Sequence, residues 1–259
     1  MQRAVALGIR AIAITDHDAV SGLAEAAEAA RGLDLDVMPG VEITAGCDTL
    51  EIHVVGLGIC PETPQLRHVL DTLVQGRAAR ADAILERLDL AGIAVLPENI
   101  AARTAGPVGR MHIAQELRAA GHVRTVQEAF DRYLGLGKPG YVPNTRIPCA
   151  EAIDAIHAAG GLAFVGHPGL GGVRRILPQL LGLPFDGIEA YHPQHKPARV
   201  NEFIELALAN ELLISGGSDC HGRAKGQRPL MGKVRLPMPR FTAIQQELHS
   251  REAHNCGAG

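Results

Sequence analysis

Three polar side chains capable of binding metal, Asp16, His17 and Asp18, follow directly on the apolar run Ala-Ile-Ala-Ile of residues 11–14. The arrangement recurs along the chain. Glu42 stands in "PGVE", His53 in "LEIHVVGL", His167 in "LAFVGHP", His192 in "GIEAYHP", and Asp219 and His221 in "LLISGGSDCHG". Six successive strand-like segments each contribute an imidazole or a carboxylate, nearly all at or just past their ends. In parallel α/β folds reactive groups gather there, because the loops at the carboxyl ends of the strands converge on one face. Imidazole and carboxylate without paired thiolates suit Zn²⁺, Mn²⁺ or Fe²⁺. Several such ligands on one face can hold two or three ions, and a glutamate such as Glu42 can bridge two of them. Neighbouring ions lower the pKa of a bridging water and neutralise phosphoryl oxygens, the arrangement used for phosphoester hydrolysis by a metal-bound hydroxide.

Each residue also has a plainer structural role open to it. His53 reads equally as a satisfied core histidine, Asp16 as a loop hydrogen-bonder or as support for a ligand, and Asp18 as the N-cap of the helix that follows. Cys220, between Asp219 and His221, has no basic partner assigned and reads as filler rather than as a nucleophile. The joint pattern is what points to a site, since independent framework histidines have no reason to fall on the same end of successive strands.

The elements that must position these groups follow from local pattern. Residues 2–8 read as a helix end stopped by Gly8, and residues 9–15 as a β-branched buried strand. Residues 19–31 are alanine-rich and helical up to Gly32, and strand regions follow at 36–44 and 50–57. From about residue 61 to 148 the character is helical, with "TPQLRHVLDTLVQGRAARADAILERLDLAG", "GRMHIAQELRAAG" and "TVQEAFDRYLGLG" each closed by glycine. Alternation then resumes: "CAEAIDAIHAAGG" helix, "LAFVGHP" strand, "RRILPQLLGL" helix, "FDGIEAYHP" strand, "ARVNEFIELALANE" helix and "LLISGG" strand. Repeated βα units imply a parallel sheet or barrel. The expected organisation is a discontinuous barrel over 1–60 and 149–237, a helical insertion over 61–148, and a short helix with a frayed tail over 238–259.

Composition narrows the function classes. A net charge of −3 argues against a broad nucleic-acid-binding face but leaves room for a small phosphorylated substrate held by local cations. The five cysteines are widely spaced and contain no C-x-x-C pair, so neither a disulfide framework nor a zinc ribbon is indicated. No apolar stretch approaches the roughly 18 residues that would span a bilayer, and residues 1–8 lack a signal-peptide core, so the expected location is the cytoplasm.

The ordered set "TDHD", "PGVE", "IHVVGLG", "GHP", "YHP" and "SDCHG", interrupted by a helical block, resembles the PHP (polymerase and histidinol phosphatase) family over roughly residues 1–235. The similarity is greatest to its bacterial nucleoside 3′,5′-bisphosphate phosphatases and 5′-to-3′ exoribonucleases. The resemblance implies an α/β fold, a distorted (β/α)₇ barrel, with two to three divalent ions (Mn, Zn or Fe, with Mg also admitted). It implies His17, Glu42, His53, His167, Asp219 and His221 as metal ligands, Glu42 being the bridge; the catalytic group is then His17, Glu42, Asp219 and His221, with Asp16 added on the residue reading above. His192 matches a polar site position, either ligand or phosphate contact. In "VGRMHIAQEL", Arg110 and His112 resemble the family's R-x-H segment, and an arginine can clamp phosphate bidentately. Lys138, Arg223, Lys225 and Arg228 are further cations for a phosphate.

Family members open on a strand bearing an H-x-H motif, whereas here eight residues, "MQRAVALG", precede Ile9. The resemblance therefore implies that this strand and its ligands are missing from the chain. The expected function is hydrolysis of phosphate esters on small nucleotides or RNA 5′ ends. Two alternatives stay open, a truncated or degenerate non-catalytic metal-binding module and a histidinol-phosphate phosphatase.

Overall fold

In the computed structural model, residues 1–101, 108–222 and 230–256 are described. Arg223, Lys225 and Arg228 lie outside them. The chain divides into two compact units, residues 1–70 with 146–259, and residues 71–145.

The first unit is built on a curled seven-stranded sheet. Helix α1 (Gln2–Ala6) stops short of Gly8, whose φ of +68° turns the chain into β1 (Ala11–Ile14). Helix α2 (Leu23–Ala30) leads to β2 (Asp36–Cys47), which pairs in parallel with β1. Strand β3 (Leu50–Leu57) returns antiparallel to β2, because two residues, Asp48 and Thr49, cannot make the crossover a parallel neighbour requires. The later elements of the unit are β4 (Ile147–Pro148), β5 (Leu162–Val165), β6 (Gly187–Tyr191) and β7 (Leu213–Gly216). The order is β1-β2-β3-β5-β6-β7, with β4 beside β2. The sheet is thus mixed rather than wholly parallel: β3 runs against both β2 and β5, while β5, β6 and β7 are parallel.

Strand β2 shows why the sheet has a polar and an apolar face. Val41, Ile43 and Ala45 are fully buried on one side, while Glu42 and Thr44 alternate onto the other. Gly40 lets three strands close up, since a Cβ there would sit 2.7 Å from the Gly56 carbonyl and 2.8 Å from Thr15 Cγ2.

In the second unit, α3 (Pro64–Leu90) continues from the first, followed by α4 (Pro97–Ala101), α5 (Arg110–Ala119) and α6 (Val126–Ala129). Helix α6 runs into a π-helical turn at Phe130–Leu134. Ile84, Leu88, Ile113, Leu117 and Leu134 form its core. Back in the first unit, α7 (Cys149–Ala158) packs on β2, β3 and β5. The segment "RRILPQLLGL" forms only a 3₁₀ turn and the single-turn α8 (Leu177–Leu180), because Pro178 fits just the first turn of a helix. Helix α9 (Pro197–Ala209) covers β6 and β7.

The last helix, α10 (Met238–Cys256), is 19 residues long rather than short. Its Ile244 completes a cluster with Val55, Leu57, Leu162 and Phe164, closing the sheet interior at the end where β5 begins. That buried face sustains the helix beyond its weak local signal. No helix among the described residues is long and apolar enough to cross a membrane.

Candidate metal centre

The opposite end of the sheet gathers the polar groups. Past β1, backbone pairing continues through a parallel bridge between His17 and Glu42. The Glu42 N–H donates to Asp16 O and the Asp18 N–H to Glu42 O. The His17 ring is thereby held beside the Glu42 carboxylate, with Nδ1 3.5 Å from Oε2.

Asp18 is not a helix cap. Helix α2 starts five residues later, at Leu23, with Gly22 at its N-cap. Asp18 is buried with φ +51°, and its carboxylate accepts the Thr44 N–H at 2.7 Å and the Thr44 hydroxyl at 2.9 Å. It substitutes a side chain for the ladder partner β2 lacks once β1 has ended. Asp16 is exposed, and its Oδ2 lies 2.9 Å from where a Cβ on Gly22 would stand.

Glu42 is the centre of the cluster. Its Oε1 meets His53 Nδ1 at 2.5 Å and His167 Nε2 at 3.0 Å, and those two nitrogens are 3.0 Å apart. His17, Glu42 and His53 offer donor atoms within 4.8 Å of one another. Lone pairs from three imidazoles and one carboxylate thus converge from β1, β2, β3 and β5. A borderline or hard divalent cation fits this donor set, with His17, Glu42, His53 and His167 positioned to hold it.

His53 is not at a strand end. It stands in the middle of β3, paired with Thr44. Because β3 runs backwards, its early half lies alongside the carboxyl-terminal halves of its neighbours.

On the other flank, Asp219 has φ +44°, with Oδ1 3.4 Å from His221 Nδ1 and Oδ2 3.5 Å from His192 Nε2. The His221 ring is 5.6 Å from that of His17, so both flanks line one cavity of about 500 Å³. The cavity is lined from both β1 and β7, the end strands of the sheet order, and its wall includes the apolar Ile12, Met231 and Phe241. Buried His192 accepts the Gln194 N–H at Nδ1, which leaves the proton of its neutral ring on Nε2. Cys220 is exposed on the cavity wall.

Electrostatics follow from this packing. Burial works against the Glu42 charge, yet hydrogen bonds from His167 and His53 hold its pKa far below the usual carboxylate range. Burial likewise opposes charge on His53, but Glu42 and Glu51 push it up to about 10. His17 is lowered, burial outweighing the attraction of Glu42, and His167 is raised, its burial being outweighed by the Glu42 hydrogen bond together with the charges of Glu189 and Glu42. The contact with His192 lowers Asp219 against its partial burial.

Arg110, His112 and Lys138 belong to the second unit. Arg110 lies 5.8 Å from the centroid of the Phe130 ring, and His112 Nδ1 accepts the Gly109 N–H at the start of α5. Gly135 O accepts the Lys138 N–H.

Two polar residues of the first unit escape a reading of strand ends. Glu189, in β6, lines the cavity, and its Oε2 accepts the His167 N–H at 2.7 Å; burial raises its pKa. His195, buried, donates from Nδ1 to Ala190 O at 2.8 Å and accepts the Gly169 N–H at Nε2. A carboxylate within the otherwise apolar "GIEAY" was the one available signal for Glu189.

No family model matches the chain. It is 34% identical over 258 residues to a 3′,5′-nucleoside bisphosphate phosphatase of Chromobacterium violaceum, covering 97% of this chain and 90% of that one. It is 36% identical over 230 residues to the 5′-3′ exoribonuclease Rnm of Escherichia coli, covering 85% and 78%. A crystal structure from Bifidobacterium adolescentis, described as a metal-dependent phosphoesterase, superposes with a TM-score of 0.82 at 27% identity, covering 94% of this chain and 87% of that one. Ordered motifs, converging donors and overall likeness agree, and the chain belongs to the PHP family of metal-dependent phosphoesterases.

Proposed function

We propose that the protein hydrolyses phosphate esters, those of small nucleotides and nucleoside 3′,5′-bisphosphates first among them, with short RNA 5′ ends as the second substrate class. The convergence of His17, His53 and His167 on Glu42 at the mouth of the sheet carries this reading, together with the activities of the two relatives. Divalent ions, when bound there, supply a nucleophilic water at neutral pH and neutralise phosphoryl charge.

This chain's own residues supply the rest. Glu42 gives a fixed negative charge, and with it His17, His53 and His167 would hold divalent ions, which would supply the activated water and charge neutralisation. Asp219 and His221 complete the opposite flank. His192, whose buried Nε2 lies 3.5 Å from Asp219 Oδ2, orients that carboxylate on the flank. Arg110 and Lys138 are the cations proposed for the substrate phosphate, and His112 the neighbouring contact.

The test is phosphate release from adenosine 3′,5′-bisphosphate by the chain reconstituted with Mn²⁺, beside nucleoside monophosphate release from 5′-phosphorylated short RNA and phosphate release from histidinol phosphate. Release that EDTA abolishes supports the proposal, and preference for the bisphosphate assigns the substrate. Metal-replete protein without turnover of any phosphoester would leave the non-catalytic metal-binding module, and a preference for histidinol phosphate would replace the nucleotide assignment.

A further inference from the structure

His167 is the donor with the least ordinary backbone. Its φ is +25°, a region non-glycine residues seldom occupy and one that costs on the order of 1–3 kcal/mol unless the surroundings impose it. The surrounding hydrogen bonds show what imposes it. Between residues 166 and 170, Pro168 has no N–H, and every other amide has a partner. Gly166 donates to His53 O at 2.8 Å, His167 to Glu189 Oε2 at 2.7 Å, Gly169 to His195 Nε2 at 3.2 Å and Leu170 to His167 O at 3.0 Å.

Two of these four acceptors are side chains from β6 and the loop after it. The His195 ring is itself fixed, with Nδ1–H on Ala190 O and the ring tilted at 60° to that of Phe203, 5.1 Å between centroids. Gly169 is what lets that ring approach, since a Cβ there would lie 2.6 Å from its Cδ2.

We propose that Glu189 is a positioning residue for the metal centre: with His195 it clamps the Gly166–Leu170 turn so that His167 Nε2 points at Glu42 and His53. The inference rests on the metal reading above and goes beyond it by assigning a role to two residues outside the ligand set. Glu189 lines the cavity but directs one oxygen at a backbone amide. Its contribution is therefore an acceptor for that amide, which an amide side chain can also provide. Outer-sphere hydrogen bonds of this kind typically govern metal affinity by about 10–100-fold.

The experiment is calorimetric titration of the full chain with Mn²⁺ alone, with the visible spectrum of the Co²⁺ form as a second readout. Glu189→Leu, which keeps volume but removes the acceptor, is expected to weaken Mn²⁺ binding about 10–100-fold and alter the Co²⁺ bands, with unchanged far-UV circular dichroism. Glu189→Gln is expected to stay within about 3-fold of the parent, because its amide oxygen accepts the same N–H. Parental affinity in Glu189→Leu would overturn the inference. So would a Glu189→Gln variant as weak as Glu189→Leu, which would make Glu189 a ligand in its own right. Should Glu189→Leu not fold, His195→Leu against His195→Gln gives the same comparison: loss with the first and retention with the second support the clamp, and equal affinity overturns it. A parent chain that binds neither Mn²⁺ nor Co²⁺ would overturn the metal reading and this inference with it, whereas a binding parent with an unaffected Glu189→Leu variant overturns this inference alone.

Discussion

His53 Nδ1 lies 2.5 Å from Glu42 Oε1, although the two residues are not register partners: Glu42 faces Val55, and His53 faces Thr44. The contact is diagonal across an antiparallel pair, on the face that β2 turns towards the cavity. Such diagonal neighbours are within reach of long side chains. A glutamate and an imidazole span the gap, while the shorter Thr44 between them turns to Asp18.

That relationship makes metal binding depend on pH. With His53 raised to about 10, its ring carries a proton at neutral pH that an ion must displace. Mn²⁺ affinity is expected to rise up to about tenfold per pH unit between pH 7 and 9, with release of about one proton per site. Titrations in buffers of different ionisation enthalpy measure this directly. In the metal-free protein the sign is opposite. The ion pair stabilises the fold fully below the unfolded imidazole pKa of about 6.5 and is lost as pH rises through the folded value of about 10.

Glu42→Gln keeps the shape and removes the shared charge. Metal affinity is expected to fall by more than the roughly 100-fold upper range of outer-sphere changes, and phosphate release to become undetectable. Inductively coupled plasma analysis and the phosphate assay check this. A Glu42→Gln variant that stays metal-replete and active would contradict the central role given to the carboxylate.

Metal also stabilises by mass action. At 100 times its dissociation constant, Mn²⁺ is expected to add about 2.7 kcal/mol, raising the thermal midpoint by several degrees, and EDTA to reverse it. Scanning calorimetry with and without chelator reads the shift.

Asp18→Ala leaves the Thr44 N–H and hydroxyl without their acceptor and keeps a side chain at positive φ. The expected loss is about 1–3 kcal/mol of stability. Asp18→Asn, which retains an acceptor and tolerates that φ, is expected to lose less. Urea denaturation of the three proteins orders them.

Far from the cavity, Asp186 joins three elements: it accepts His157 Nε2–H at 2.7 Å and the Ala163 N–H at 2.7 Å, and it pairs with Arg251 of α10. Burial opposes its charge, but these partners hold its pKa below the usual value. The stability it supplies is present above the unfolded carboxylate pKa of about 4 and disappears as pH falls through the lower folded value. Asp186→Asn is expected to cost about 2–3 kcal/mol at neutral pH, a penalty that shrinks in acid. Thermal melts from pH 7 down to 3 test both parts.

Much of the molecule follows from local pattern. The apolar runs of β1, β2, β3, β5, β6 and β7, the glycine stops after α1, α2 and α3, and the imidazoles and carboxylates beside the runs are properties of neighbouring residues. Short-range backbone preference and burial of alternate side chains dictate them. The tertiary structure decided what depends on distant segments. A one-dimensional pattern does not state strand direction, so the reversal of β3, which brings a mid-strand His53 to the mouth, emerges only from its pairing. The N-cap reading of Asp18 failed because Thr44, 26 residues away, competes for its carboxylate. Likewise the length of α10 is sustained by a sheet interior that its own sequence does not describe, and Glu189 finds its partner only where β6 passes the turn after β5. The residue types set which chemistry is available, while long-range pairing, in which a few Å separate a ligand from a framework residue, set which of them meet.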